Sequence, residues 1–301
     1  MRERLEYAVL WCVLKFLGVL PRPVARAVAA ALTQFFLLFM VRRRRTAKFN
    51  LRLAFPEWTE ARRRAVLRRM AWHLGWMAAE FSQFPWWTRE NVEQRVLLDG
   101  HENFLAGHSR GKGVLFLTGH IGAWELSSFA HALYGFPLHY MARPLDNPRA
   151  DALINRYRCL SGDQPIFKNE SARVMLQVLR DAGTIGILAD QNTMPEEGVF
   201  VDFFGRQACT TTGIARVALH TDAAVVPVYC YWDRALRKYR LRFEPPVALS
   251  RTGDADRDIR ENTQQFAKIL EGIICRHPEQ WVWVHARWKT RPQGEPPLYP
   301  L

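Results

Sequence analysis

Apolar positions along the chain follow two rhythms. In the amino-terminal third they form long, nearly unbroken runs: residues 7–20 are apolar except for Lys15, and residues 24–41 except for Arg26, Thr33 and Gln34, with Pro21 and Pro23 between. Each run predicts a helix, yet neither reaches the roughly 20 clean apolar residues of a membrane-crossing span. A third helix is predicted over 60–83, where Val66, Leu67, Met70, Leu74 and Met77 recur at helical intervals opposite Arg62, Arg63, Arg64, Arg68 and Arg69. Phe84, Pro85, Trp86 and Trp87 end it, and the two indoles suit either a membrane interface or an inward-packed turn.

From residue 113 the rhythm shortens. Apolar bursts at 114–117, 185–189 and 224–231 read as buried strands, with a further strand at 239–243. Between and after them, 121–134, 148–160, 171–181, 211–220 and 256–275 carry helical spacing. Strands alternating with helices predict an α/β fold, a central mixed sheet with helices on its faces. No repeat or linker divides this region, so residues 46–301 are expected to form one catalytic domain and residues 1–45 an N-terminal membrane-anchoring helical segment.

Charge sharpens the picture. Lys and Arg number 42 against 29 Asp and Glu, a formal charge of +13, which suits an anionic partner: nucleic acid, a membrane surface, or an acidic protein or ligand. Arg2 and Arg4 precede the apolar region and Arg42, Arg43, Arg44 and Arg45 follow it, whereas a cleaved leader would end in small residues. Basic residues at both ends place both on the cytoplasmic side, favouring an interfacial helix or shallow hairpin over one tilted span. A pair of core helices in a soluble protein would read the same way. The five cysteines (Cys12, Cys159, Cys209, Cys230, Cys275) lie far apart, without CxxC or metal-ligand spacing, so a reducing, cytosol-facing location and no metal are expected.

Among candidate motifs, Gly107-His108-Ser109-Arg110-Gly111 fits the nucleophile-elbow pattern, but the required strand-then-helix order is reversed. Gly111-Lys112-Gly113 lacks phosphate-loop spacing. The remaining candidate is Leu115 to Leu126, a buried strand that ends at His120 with Glu125 five positions on. In an α/β fold such strand ends hold the chemistry. Five residues on one continuous helix would separate the two side chains by roughly 140°. His120 is therefore placed in the strand-to-helix turn, with Glu125 reaching back to fix the imidazole tautomer while the other nitrogen takes a proton from a hydroxyl.

The stretch 113–126 closely resembles the His-x4-Asp/Glu motif of the glycerolipid-type acyltransferases, particularly the bacterial lipid A biosynthesis acyltransferases that add lauroyl or myristoyl chains. The resemblance continues through Met141-Ala142-Arg143-Pro144, Ala189-Asp190-Gln191-Asn192, Phe203-Phe204-Gly205-Arg206 and Pro278-Glu279-Gln280-Trp281, with Arg287 behind, and includes the apolar N-terminus. One departure is Ala123, where many of that family carry Asn.

The resemblance implies transfer of a fatty acyl group from an acyl carrier protein thioester to a hydroxyl of a lipid A precursor at the cytoplasmic face of the inner membrane, without a cofactor. His120 would be the general base. Arg143 would stabilise the oxyanion or hold a substrate phosphate. Asp190 and Gln191 follow a strand as His120 does and are expected on the same sheet edge, with Asp190 open to three roles: assisting His120, binding the acceptor, or capping a loop. Arg206 is a phosphate-binding candidate. Trp124, Phe129, Phe203 and Phe204 are candidate walls of an acyl pocket. Anionic lipids and an acidic carrier protein both suit a charge of +13. A lysophospholipid, aminolipid or glycolipid acceptor fits the same residues. Nucleic acid does not, because it leaves the apolar N-terminus and the strand-end histidine unexplained.

Overall fold

The computed structural model describes residues 1–167 and 171–299. The chain opens with four helices, α1 (Arg2–Val19), α2 (Arg22–Phe39), α3 (Val41–Ala54) and α4 (Glu60–Ser82), and a single turn α5 (Arg89–Val92). The α/β part follows: β1 (Val96–Asp99), α6 (His101–His108), β2 (Val114–Thr118), α7 (Trp124–Leu133), β3 (His139–Ala142), α8 (Pro148–Arg158), β4 (Gln164–Phe167), α9 (Ser171–Arg180) and β5 (Thr184–Leu188). A hairpin of β6 (Gly198–Phe203) and β7 (Arg206–Thr211) precedes α10 (Gly213–Thr221), β8 (Ala224–Asp233), β9 (Lys238–Phe243) and α11 (Ala255–Arg276).

Among the described residues, seven strands form one mixed sheet in the order β1-β9-β8-β2-β5-β3-β4, parallel throughout except where β9 runs antiparallel to β8. β2 is central, and its residues alternate between two cores. Leu115 and Leu117 face Ile214, Phe266, Leu270 and Ile274, while Val114 and Phe116 face Phe104, Leu126 and Phe129. Burial on both faces explains why β2 reads as an unbroken apolar run.

The expected strands at 114, 185, 224 and 239 are present within a residue or two of their bounds. β1, β3, β4 and the β6–β7 hairpin were not foreseen: the first three are four-residue strands. The hairpin turns through Phe204 and Gly205, both at positive φ. The arginine run 42–45 is the opening turn of α3, whose Ala47 and Leu51 enter the main core, so the boundary drawn at residue 45 falls inside a helix.

Small residues let α2 lie close on α4. Ala25, Ala29 and Ala30 are buried there, and a Cβ on Gly75 would fall 2.5 Å from the Cα of Ala30. Arg22 and Arg26 of α2 both pair with Glu80 of α4, which is buried, and the Arg26 guanidinium stacks over Trp232 of β8 at 4.3 Å. The two adjacent tryptophans divide: Trp87 packs inward, and exposed Trp86 donates to the carbonyl of Gly18.

Candidate active site

The register of β2 and β5 builds the site. Thr118 and Leu188 are partners at the ends of two neighbouring parallel strands, so the residues two positions beyond them, His120 and Asp190, leave the sheet side by side. The amide of Ala189 donates to the carbonyl of Thr118 at 2.9 Å and closes the ladder just below them.

Two glycines shape the turn after β2. A Cβ on Gly119 would come within 3.0 Å of the Asp190 side chain. Gly122 has φ +62°, and a Cβ there would lie 2.0 Å from the carbonyl oxygen of Cys230. That close approach lets the next amide, of Ala123, donate to the same oxygen at 2.8 Å and start α7 against β8.

Asp190 is 1% exposed and accepts three hydrogen bonds. The His120 ring Nδ1 lies 2.9 Å from one carboxylate oxygen; the His120 backbone amide (2.9 Å) and the Trp281 indole (2.7 Å) donate to the other. Because an ionised carboxylate only accepts, Nδ1 carries a proton, and in the neutral ring Nε2 keeps its lone pair. The side-chain amide of Gln191 donates to Nε2 at 3.2 Å. Burial alone would depress the His120 pKa, but the charge and hydrogen bond of Asp190, with a smaller contribution from Glu125, raise it above the ordinary histidine value. Burial likewise opposes ionisation of Asp190, and the imidazole and its other donors outweigh it, leaving the carboxyl below its usual range.

This arrangement corrects the expected partner of the imidazole. Glu125 sits in the first turn of α7 and is engaged by Arg158 at the end of α8, at 2.8 Å and 2.5 Å. It faces the neighbouring helix, and the ring nitrogen it was expected to hold is taken by Asp190 from the adjacent strand. Asp190 in turn is too buried to touch an acceptor, which removes the substrate-binding alternative.

Beside His120 opens a pocket of about 360 Å³ between α7, α8 and the ends of β2, β3 and β5. Phe116, Leu138, Met141, Ile154, Leu188 and Val228 supply apolar wall, while His120, Glu125, Arg143 and Arg158 supply the polar side. Exposed Arg143 is thus brought to the site. Trp124 also lines it, its ring 5.1 Å from the imidazole. The other expected wall residues belong to the core: Phe129 stacks on Phe84 at 3.8 Å, and Phe203 and Phe204 pack on Trp288 and Phe55. Arg206 is exposed where the β6–β7 hairpin turns and is not among the pocket residues, since the hairpin folds onto α11 rather than onto the strand ends.

Two residues behind the last block of the resemblance, to which the sequence assigns no role, support the loop after β5. Buried Arg287 donates to the carbonyls of Gln191 (3.3 Å) and Cys209 (2.7 Å), with its guanidinium over Phe203. His285 accepts from the amide of Asn192 at 3.1 Å, and burial pushes its pKa down to about 4, so the ring is neutral and able to accept. The cluster of polar residues after Trp283 was the only signal, and nothing in the pattern distinguishes a buried arginine from a solvated one.

The sequence matches the family profile described as bacterial lipid A biosynthesis acyltransferase over residues 2–290. It is similar to the lipid A biosynthesis lauroyltransferase of Escherichia coli (strain K12), 28% identical over 296 residues, covering 98% of this chain and 94% of that protein. The lipid A biosynthesis myristoyltransferase of the same organism is 28% identical over 252 residues, 84% of this chain and 77% of that protein. Its lipid A biosynthesis palmitoleoyltransferase is 26% identical over 281 residues, 93% and 90% of the two chains.

Proposed function

The chain belongs to the bacterial lipid A biosynthesis acyltransferase family and is an acyltransferase, and from that premise we propose that it moves a fatty acyl group from an acyl carrier protein thioester to a hydroxyl of a lipid A precursor at the cytoplasmic face of the inner membrane. The observation that carries this reading is the His120 ring: Nδ1 is anchored on buried Asp190, while Nε2, held only by the exchangeable side-chain amide of Gln191, serves a largely apolar pocket.

His120 Nε2 takes the proton of the acceptor hydroxyl as that oxygen attacks the thioester carbonyl carbon. The hydroxyl displaces the Gln191 amide from Nε2. Asp190 stabilises the imidazolium that forms, as the buried carboxylate of a catalytic triad does. The tetrahedral oxyanion collapses, the carbon–sulfur bond breaks, and the imidazolium returns the proton to the departing thiolate. Arg143 and the Glu125-held Arg158 lie on the polar side of the pocket and meet the oxyanion or an acceptor phosphate.

The test is acyl transfer by detergent-purified full-length protein from labelled lauroyl and myristoyl carrier protein to a tetra-acylated lipid A precursor. Native protein forms product, and His120→Ala loses on the order of a hundredfold or more. Transfer only to phospholipids, aminolipids or glycolipids would overturn the acceptor assignment; a His120→Ala enzyme as active as native would overturn the mechanism.

A further inference from the structure

A single side chain covers the base. With Nδ1 of His120 engaged by Asp190, the nitrogen that can take a proton is Nε2, and the side-chain amide of Gln191 stands on it at 3.2 Å. Among the described residues, this is the one hydrogen bond that the Gln191 side chain makes.

The main chain around Gln191 is fixed on both sides. Asp190 before it is buried and receives the Trp281 indole, and the Gln191 carbonyl itself accepts from Arg287 at 3.3 Å. After it, the amide of Asn192 donates to His285 at 3.1 Å, and the Asn192 side chain makes two hydrogen bonds of 2.9 Å with Thr290. Only the half-buried side chain of Gln191 is left to move. A swing about its own torsions uncovers Nε2 without disturbing the loop.

The side from which Gln191 covers the ring is informative. His120, Trp124 and Leu188 line the pocket, and Gln191 does not. The imidazole therefore has the pocket on one side and the amide on another. The amide nitrogen holds the place, at hydrogen-bond distance from Nε2, that an attacking oxygen has to take. Water and an acceptor hydroxyl both need that place, and both can attack a thioester. A water molecule gains one hydrogen bond to Nε2 for the one it breaks. An acceptor is held along the rest of its length as well, and that remote binding offsets displacement of the amide.

We propose that Gln191 is a latch on His120 that makes the base serve a bound hydroxyl acceptor in preference to water, keeping the acyl donor from hydrolysis until the acceptor arrives. This rests on the reading of His120 as general base and deepens it. In the suppressed reaction, water attacks the thioester carbonyl carbon and Nε2 takes its proton. The carbon–sulfur bond then breaks and the imidazolium returns the proton to the thiolate, leaving free fatty acid and carrier thiol.

The experiment uses detergent-purified full-length protein and labelled lauroyl carrier protein, with and without a tetra-acylated lipid A precursor, and scores free laurate against acylated lipid. Gln191→Ala is expected to raise the ratio of free laurate to acylated lipid by about tenfold over native, the scale of one neutral hydrogen bond. Gln191→Met, which fills the same space without an N–H to donate, is expected to raise it too, and adding His120→Ala to either removes the extra laurate. A merely structural role would slow both products together, so an unchanged ratio in the Gln191 variants overturns the proposal. Excess laurate in Gln191→Ala but not in Gln191→Met would show that bulk alone excludes water, and overturns the hydrogen-bonded latch. Excess laurate that survives His120→Ala overturns it as well. If native protein acylates no lipid A precursor while Gln191→Ala still releases laurate faster than native, the acceptor assignment falls and the latch stands.

Discussion

The Nδ1 of His120 lies 2.9 Å from a carboxylate oxygen of Asp190, although 70 residues separate the two in the chain. The pairing follows from strand register. β2 and β5 are parallel neighbours ending at the same level, so whatever follows each by two residues must meet. Asp190 also receives the backbone amide of His120 and the indole of Trp281, which orients the imidazole through both its ring and its main chain. The carboxylate five residues after the histidine is left for another task.

That task is to hold Arg158. The Glu125–Arg158 pair is bidentate and lines the pocket, with the guanidinium over the Tyr140 ring. Glu125→Gln is expected to lower kcat/KM roughly tenfold to a hundredfold by loosening Arg158, while the pH dependence moves little, because Asp190 remains on the ring. Arg158→Ala should show a comparable loss, and the double variant little more than either alone. Steady-state kinetics on the four proteins form the cycle; fully additive losses would show that the two residues act separately.

The floor of the pocket includes Gly186 in the middle of β5, and a Cβ there would meet only Leu138 and a backbone oxygen at ordinary contact distance. Gly186→Leu therefore fills space without breaking the strand. If the acyl chain occupies this pocket, the variant shifts preference toward shorter donors, read as the ratio of lauroyl to octanoyl transfer. An unchanged ratio in an active variant would place the chain elsewhere.

Arg287 holds the loop after β5 from beneath. Arg287→Met removes the guanidinium's hydrogen bonds to the part-buried Gln191 carbonyl and the buried Cys209 carbonyl, so stability should fall by about 3 kcal/mol, with activity lost alongside it. Chemical denaturation followed by both fluorescence and activity checks this, and a Met variant as stable as native would show that water replaces the guanidinium.

The sequence pattern revealed the central strands, since β2, β5 and β8 are buried on both faces and read as apolar runs. It revealed the helices whose apolar stripes are regular, α4 and α11 among them. It could not reveal β3 and β4, because strands of four residues carry too little periodicity. The histidine was legible from its place at a strand end. Its true partner was legible only as a candidate, since sequence distance favours Glu125 while sheet order, which no local pattern encodes, favours Asp190. Arg206 misled because an arginine after aromatic residues and a glycine reads alike whether it lines a site or turns a hairpin.

Control of the His120 base by Asp190 is read from the pH dependence of kcat/KM for native enzyme and Asp190→Asn. A raised His120 pKa keeps the ring protonated, and so inactive as a base, to higher pH than an ordinary histidine, which places the acid limb of the native profile above that of an unperturbed imidazole. Removing the carboxylate's charge lowers that pKa, so the limb of Asp190→Asn moves to lower pH while its plateau falls on the order of a thousandfold. A limb that stays in place in Asp190→Asn but shifts in Glu125→Gln would return the role to the nearer carboxylate.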